Sequence, residues 1–260
     1  MLRSLSYSVG WRAAVPEISE PQARIIIRQV SKRFVLHHTQ SIKEWFISLI
    51  NRKPLTATFD ALEDVDIVIN EGESVAFLGL NGSGKSTLLK LISGVLRPDT
   101  GHILTRGRVA GLIEVGAGFH PDLSGRENVY LNAAILGMSR KEVDARFDDI
   151  VEFSEIGQFI ETEVKHYSSG MFVRLAFAVA IYTTLDVLLV DEVLSVGDEP
   201  FQQKCFAKIR ELQKEGKTMV MVSHDLDTVS SLCERGIVIS KGRIAFDGDS
   251  KEAVARLRSL

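Results

Sequence analysis

The stretch Gly79-Leu80-Asn81-Gly82-Ser83-Gly84-Lys85-Ser86-Thr87 decides the fold. It reads Gly-x-x-x-x-Gly-Lys-Ser, a spacing in which glycines let the backbone curl until several N–H groups converge on one anion. Lys85 can reach outer phosphates, and the Ser86 hydroxyl can bind Mg²⁺. The flanks agree with this reading. Ser74-Val75-Ala76-Phe77-Leu78 is a short apolar run that suits a buried strand. Thr87-Leu88-Leu89-Lys90-Leu91-Ile92 is apolar at helical spacing and is closed by Gly94. Strand, loop and helix in that order aim a helix N-terminus at a phosphate.

A phosphate loop needs an acid for its metal. Leu185-Asp186-Val187-Leu188-Leu189-Val190-Asp191-Glu192 supplies two at the end of an apolar strand. Asp191 can hold Mg²⁺ directly or through water. Glu192 can orient or deprotonate an attacking water. His224 follows the apolar run Met219-Val220-Met221-Val222 and Ser223, at the strand end where ligands bind in parallel sheets. Tyr167-Ser168-Ser169-Gly170-Met171 precedes the apolar helix Phe172 to Thr184. A Ser-Ser-Gly turn opening a helix is an N-cap, and it also offers hydroxyls and N–H groups to an anion. If this helix start binds phosphate, it is a second anion site in a chain with one phosphate loop, and two chains facing head to tail would complete each other's sites.

Around these motifs the pattern alternates. Strands are expected at Ile25 to Val30, twice within residues 57–69, around Gly107 between His102 and Ile113, at Leu185 to Val190, Thr218 to Val222, Gly236 to Ile239 and Arg243 to Phe246. Helices are expected over Glu127 to Gly137, Arg140 to Phe153, Ser168 to Thr184, Phe201 to Glu215 and Leu226 to Cys233. The result is a β/α core interrupted by a helical insert at about 119–180. Residues 1–23, with Pro16 and Pro21, read as a loosely ordered extension. Residues 41–52 read as an amphipathic helix with Ile42, Trp45, Phe46, Leu49 and Ile50 on one face. That stripe either packs on the core or lies at a membrane–water boundary.

The 260 residues can bury a substantial core, as one large domain or a domain with a subdomain. Net charge is −3, yet residues 1–53 carry nine Lys/Arg against three Asp/Glu. That basic segment is a solvated tail or faces an anionic neighbour, a lipid surface or nucleic acid. Cys205 and Cys233 have neither C-x-x-C nor metal-ligand spacing, which fits idle thiols in a reducing compartment. The segment Leu2 to Trp11 lacks the continuous apolar core of a signal peptide, and Leu175 to Val190 is too short and polar to span a membrane. The expected place is the cytosol, with any membrane contact peripheral.

Over residues 24–255 the chain resembles an ATP-binding cassette (ABC) ATPase. The resemblance rests on the phosphate loop (Gly79 to Thr87), the acidic strand end (Leu185 to Glu192), His224 and the signature turn Tyr167 to Met171. It narrows to the Wzt-like ATPases of polysaccharide export, which move O-antigen, teichoic acid or cell-wall galactan. The residues that narrow it are Phe172-Val173-Arg174-Leu175-Ala176-Phe177-Ala178, Glu192-Val193-Leu194-Ser195-Val196-Gly197-Asp198 with Phe201-Gln202-Gln203-Lys204-Cys205, and Gly116-Ala117-Gly118-Phe119-His120-Pro121 with Gly125-Arg126-Glu127-Asn128. The resemblance implies an α/β P-loop NTPase (RecA-like) core with an antiparallel β subdomain and an inserted helical subdomain. It implies ATP and Mg²⁺ as ligands, with Lys85, Glu192 and His224 catalytic. ATP contacts would come from Phe34, Gly79, Asn81, Gly82, Ser83, Gly84, Lys85, Ser86, Thr87, Ser168, Ser169, Gly170 and Asp198. Phe34 stands where the family's adenine-stacking aromatic lies, or in the core. Mg²⁺ would be met by Ser86, Asp191 and Glu114, the last standing nearest the family's glutamine, although an ungapped count gives Val115. The implied partners are a second cassette, two copies of a polytopic membrane permease and, indirectly, a lipid-linked glycan, with no nucleic acid. The implied place is the cytoplasmic face of the inner membrane. With its last residue at Leu260 the chain resembles the short type, without a carbohydrate-binding domain.

Overall fold

The isoleucine run Ile25-Ile26-Ile27 lies in the first strand, β1 (Ala23–His37). β-Branched side chains are stiff and pack well on a pleated surface. The computed structural model describes residues 22–37, 56–112, 116, 118–191, 197–223 and 225–259. β1 pairs antiparallel with β2 (Thr56–Asn70), and on its other side with β4 (Thr100–Thr105). Sequence reasoning expects two strands within 57–69, whereas the structure has the single strand β2. Asp64 adopts φ 50° there, and the pairing register shifts on either side of Val30 and its partner Val65. Ser31 Oγ accepts a hydrogen bond from the Asp64 N–H at 3.0 Å, so a bulge absorbs the interruption without ending the strand.

The second sheet has the order β5-β6-β7-β3-β8-β9. Its strands are β3 (Ser74–Leu78), β5 (Val109–Leu112), β6 (Val187–Asp191), β7 (Thr218–Val222), β8 (Arg235–Ser240) and β9 (Arg243–Asp249). All neighbours run parallel except the β8–β9 edge pair. Strands covered on both faces are near-continuous apolar runs, as β3 is after Ser74 and β7 after Thr218. Their side chains divide with period two between two cores. Val75, Phe77, Val220 and Val222 face the antiparallel sheet together with Leu88 and Leu89 of the helix α1 (Lys85–Ile92). Ala76, Leu78, Met219 and Met221 face the helical layer.

That layer is built from α2 (Gly125–Ile135), α3 (Arg140–Ser154) and α4 (Ser169–Tyr182), with single 3-10 turns at Gly157–Phe159 and Val164–His166. Phe153 stacks on Phe177 at 6.0 Å and meets Phe201 edge-on at 5.7 Å, where Phe201 belongs to α5 (Glu199–Lys214). Fully burying such a ring contributes roughly 2–3 kcal/mol. The remaining helices are α6 (Leu226–Leu232) and α7 (Ser250–Arg258). Sequence reasoning misses α7, because only Ala253 and Val254 among its apolar residues are buried and no stripe stands out. Asp249 starts it by accepting hydrogen bonds from the Lys251 and Glu252 N–H groups. Cys205 and Cys233 are buried free thiols, and burial pushes both up to about 12. Among the described residues no helix is long and apolar enough to cross a membrane. The expected helix over 41–52, and the extension over 1–23 apart from its last two residues, lie outside the described residues.

Candidate functional site

β3 ends at Leu78 and α1 begins at Lys85, so the loop between them hangs at the C-terminal edge of the parallel strands. Two close approaches fix its path. A Cβ on Gly79 would lie 2.2 Å from the Ile239 carbonyl oxygen, and one on Gly84 would lie 2.5 Å from that of Ala61. Gly84 also has φ 114°, a conformation that L side chains rarely adopt. As N-cap of α1, Gly84 brings no side-chain acceptor, so the first N–H groups of the helix and its positive dipole end are available to an anion. Asn81, Gly82, Ser83, Gly84, Lys85, Ser86 and Thr87 line one cavity of about 160 Å³, together with Phe59 and Ala61 of β2. The Ser83 hydroxyl is buried there with no hydrogen-bond partner among the described residues. Such a group is costly unless a ligand or water satisfies it.

Lys85 is buried, and its ammonium donates to the carbonyls of Gly79 (2.9 Å) and Leu80 (3.1 Å). The side chain is thus folded over the loop that a phosphate would enter. Asp191 ends β6, partly buried, in register with Val222 of β7, which is in register with Phe77 of β3. This row across three strands puts the Asp191 carboxylate on the edge from which the loop springs. Glu192, His224 and Glu114 lie outside the described residues.

Phe34 is half-buried, and the Lys32 ammonium stands 5.6 Å from the centre of its ring. Its strand partner is Phe59, and Phe59 is the aromatic that lines the loop cavity. Sequence reasoning does not single out Phe59, since one phenylalanine in Thr58-Phe59-Asp60 reads only as a strand residue.

Ser168 caps α4, its Oγ accepting from the Met171 N–H at 3.2 Å. Ser169 is exposed, and a Cβ on Gly170 would meet nothing nearer than Ser168 Oγ at 3.9 Å. No hydrogen bond joins these three residues to the phosphate loop of the same chain among the described residues. Asp198, the N-cap of α5, receives Arg174 Nη2 at 2.6 Å, while Arg174 Nη1 donates to Glu155 at 2.9 Å. Lys204 joins the same Glu155 at 3.1 Å. Arg174 therefore ties the signature helix to the segment after β6, a link that motif spacing alone does not reveal.

Residues 62–195 match the family model described as ABC transporter. The chain is 44% identical over 243 residues to the ABC transporter protein AbcA of Aeromonas salmonicida, covering 94% of this chain and 78% of that one. It is 48% identical over 198 residues to the O-antigen export system ATP-binding protein RfbB of Myxococcus xanthus, covering 76% of this chain but 45% of that protein. It is 41% identical over 238 residues to the teichoic acids export ATP-binding protein TagH of Levilactobacillus brevis, covering 91% of this chain and 65% of that one. The chain thus spans less than two thirds of the length of both of these export proteins. A solved ATP-binding subunit of an ABC transporter superimposes with a TM-score of 0.71 at 22% identity, covering 91% of this chain and 95% of that one, which shows the fold.

Proposed function

The chain belongs to the ABC transporter family, and on that premise we propose that it is the ATP-hydrolysing subunit of an exporter of lipid-linked polysaccharide. As a member of that family it binds nucleotide and is an ATPase. The single observation that carries the site is the phosphate-loop cavity, with glycine close contacts at its base and the buried Lys85 folded across it. The transported class rests on relatives named for O-antigen export and teichoic acid export.

In this reading Lys85 exchanges its neutral carbonyl acceptors for the outer phosphates, a charge-assisted and stronger bond. Ser86 and Asp191 would hold Mg²⁺, with Glu114, which stands nearest the family's glutamine, as the third contact. The metal supplies neutralisation of phosphate charge. Glu192 orients or deprotonates the attacking water, and His224 donates a hydrogen bond to the terminal phosphate. Ser168, Ser169 and Gly170 complete the site of a second copy, and Asp198 lies in the same interface. Two cassettes then sit under two copies of a membrane permease, peripheral to the cytoplasmic face. ATP binds the paired state better than the open one, and hydrolysis removes that preference.

Glu192→Gln tests this reading. The variant is expected to bind ATP, to turn over at least about a hundredfold more slowly, and to accumulate as an ATP-loaded dimer in sedimentation. Near-normal phosphate release would remove Glu192 from its role.

A further inference from the structure

We propose that Tyr167 and Phe172 are positioning residues, two aromatic clasps that fix the turn between them, Ser168 to Met171, for the nucleotide of a second copy. The inference rests on the composite-site reading above and concerns what holds that exposed turn in place. With Ser168 and Ser169 in solvent, the turn buries little that would offset the entropy of ordering it. Its support comes from the loop that leads into α2. Asn128, fully buried, is the centre of that loop. Its Oδ1 accepts from the His120 N–H at 2.7 Å, and its Nδ2 donates to the carbonyls of His120, Leu123 and Ser124 at 3.0, 3.1 and 2.9 Å. A buried amide satisfied in this way specifies a single loop conformation. Backbone bonds carry the loop across to the segment before the turn. The Val164 N–H donates to the Leu123 carbonyl at 2.9 Å, and the Lys165 N–H to that of Pro121 at 2.8 Å.

Tyr167 closes one side of the turn. Its hydroxyl donates to the Phe159 carbonyl at 2.8 Å and fills the space that a Cβ of Gly125 would need. Phe172 closes the other side. Its ring fills the space that a Cβ of Gly116 would need, and it meets Phe119 edge-on at 5.1 Å. The Phe119 N–H donates to the Gly116 carbonyl at 3.0 Å, so both of these contacts fall on one tight turn. Phe119, Tyr167 and Met171 also pack against the helical core, whereas Phe172 packs against neither core among the described residues. The Phe172 ring therefore serves the contact with Gly116 and Phe119, not the core. Two glycines thus admit two rings, one on each side of the turn, and the loop that carries them sets where Ser169 and Gly170 stand.

The test uses the full chain carrying Glu192→Gln, which MgATP is expected to drive into pairs. Sedimentation reads the dissociation constant of the pair. Equilibrium dialysis, at protein concentrations below pairing, reads MgATP binding to the separate chain. Adding Phe172→Ala is expected to loosen the pair about tenfold or more, because a symmetric pair loses a positioned turn at both sites. MgATP binding to the separate chain should stay unchanged, since the phosphate loop is untouched. Phe172→Met keeps the reach of the side chain and should recover most of the loss. The proposal is overturned if Phe172→Ala pairs as tightly as its parent, if it weakens MgATP binding to the separate chain as much as it weakens pairing, or if Phe172→Met is no better than Phe172→Ala. A Phe172→Ala chain that no longer melts cooperatively would make the ring a core residue and would overturn it as well. If the Glu192→Gln parent binds MgATP but does not pair, the composite-site reading itself fails, which is a separate outcome.

Discussion

At the scale of single residues, Lys85 shows how the site is prepared before its ligand arrives. Holding an ammonium out of water is costly, and carbonyl acceptors offset only part of that cost. Two of those acceptors, Gly79 and Leu80, belong to the loop itself, so the same contacts that bury the charge shape the cradle. A phosphate is a better partner than either carbonyl. Lys85→Met keeps most of the length of the side chain and removes its charge. The expected outcome is an unchanged or higher melting temperature without nucleotide, and loss of the increment that MgATP gives the wild type. A variant that melts much earlier without nucleotide would show that Lys85 chiefly holds the fold together. Lys85 was legible in the sequence because loop chemistry demands glycine and lysine at fixed spacing. The place of Phe59 at the loop cavity and the link of Arg174 to Glu155 and Asp198 were not, because both depend on what the folded chain brings together.

At the scale of elements, the helices that follow β5 begin where local chemistry makes them begin. Ser124 with Glu127, and Ser139 with Glu142, form reciprocal capping boxes at the starts of α2 and α3. Hydrogen bonds from the Ser139 N–H and hydroxyl, joined by one from Arg108, hold the Glu142 carboxyl down at about 2 from an ordinary 4.5. A carboxyl held low in the folded chain adds stability above its unfolded value, and that stability fades as pH falls through the folded value. Ser139→Ala should cost about 1 kcal/mol at neutral pH. The gap in urea midpoint between wild type and Glu142→Ala should stay constant above about pH 5 and close between 4.5 and 2. A gap that persists unchanged to the lowest pH would mean that Glu142 contributes by packing, not by charge. Elements with an apolar period and such caps were readable from the chain. The continuous β2 was not, since Asp64 resembles a turn residue until Ser31 on the neighbouring strand is seen to hold its N–H. Nor was α7, whose buried face consists of Ser250, Ala253 and Val254.

At the scale of the whole molecule, the phosphate loop and the first turn of α4 sit in different surroundings. The phosphate loop is pressed between the second sheet and β2, whereas α4 is sunk in the helical core from Leu175 to Ile181 and leaves only its first turn outside. That first turn is presented rigidly, because the buried part of α4 cannot shift without disturbing the aromatic cluster of Phe153, Phe177 and Phe201. A glycine at position 170 is not needed for room inside this chain, where a Cβ would make only an ordinary contact with Ser168 Oγ at 3.9 Å. In the proposed function it leaves room for the nucleotide on a second copy. A symmetric pair related by a two-fold axis would use the same surfaces on both copies and contain two such sites. Ser169→Arg adds a long side chain at that surface without entering the core. It is expected to abolish turnover while leaving MgATP binding to the separate chain largely intact, because the loop still provides the phosphate contacts. Mixing it with Lys85→Ala gives heterodimers in which one site carries both defects and the other carries neither. With random pairing and independent sites, about a quarter of the wild-type rate should return. The specific activity of the wild type should also fall on dilution as pairs separate. If Ser169→Arg hydrolyses ATP at the wild-type rate, or if specific activity stays constant across dilution into the monomer range, the composite site is ruled out and each loop works alone.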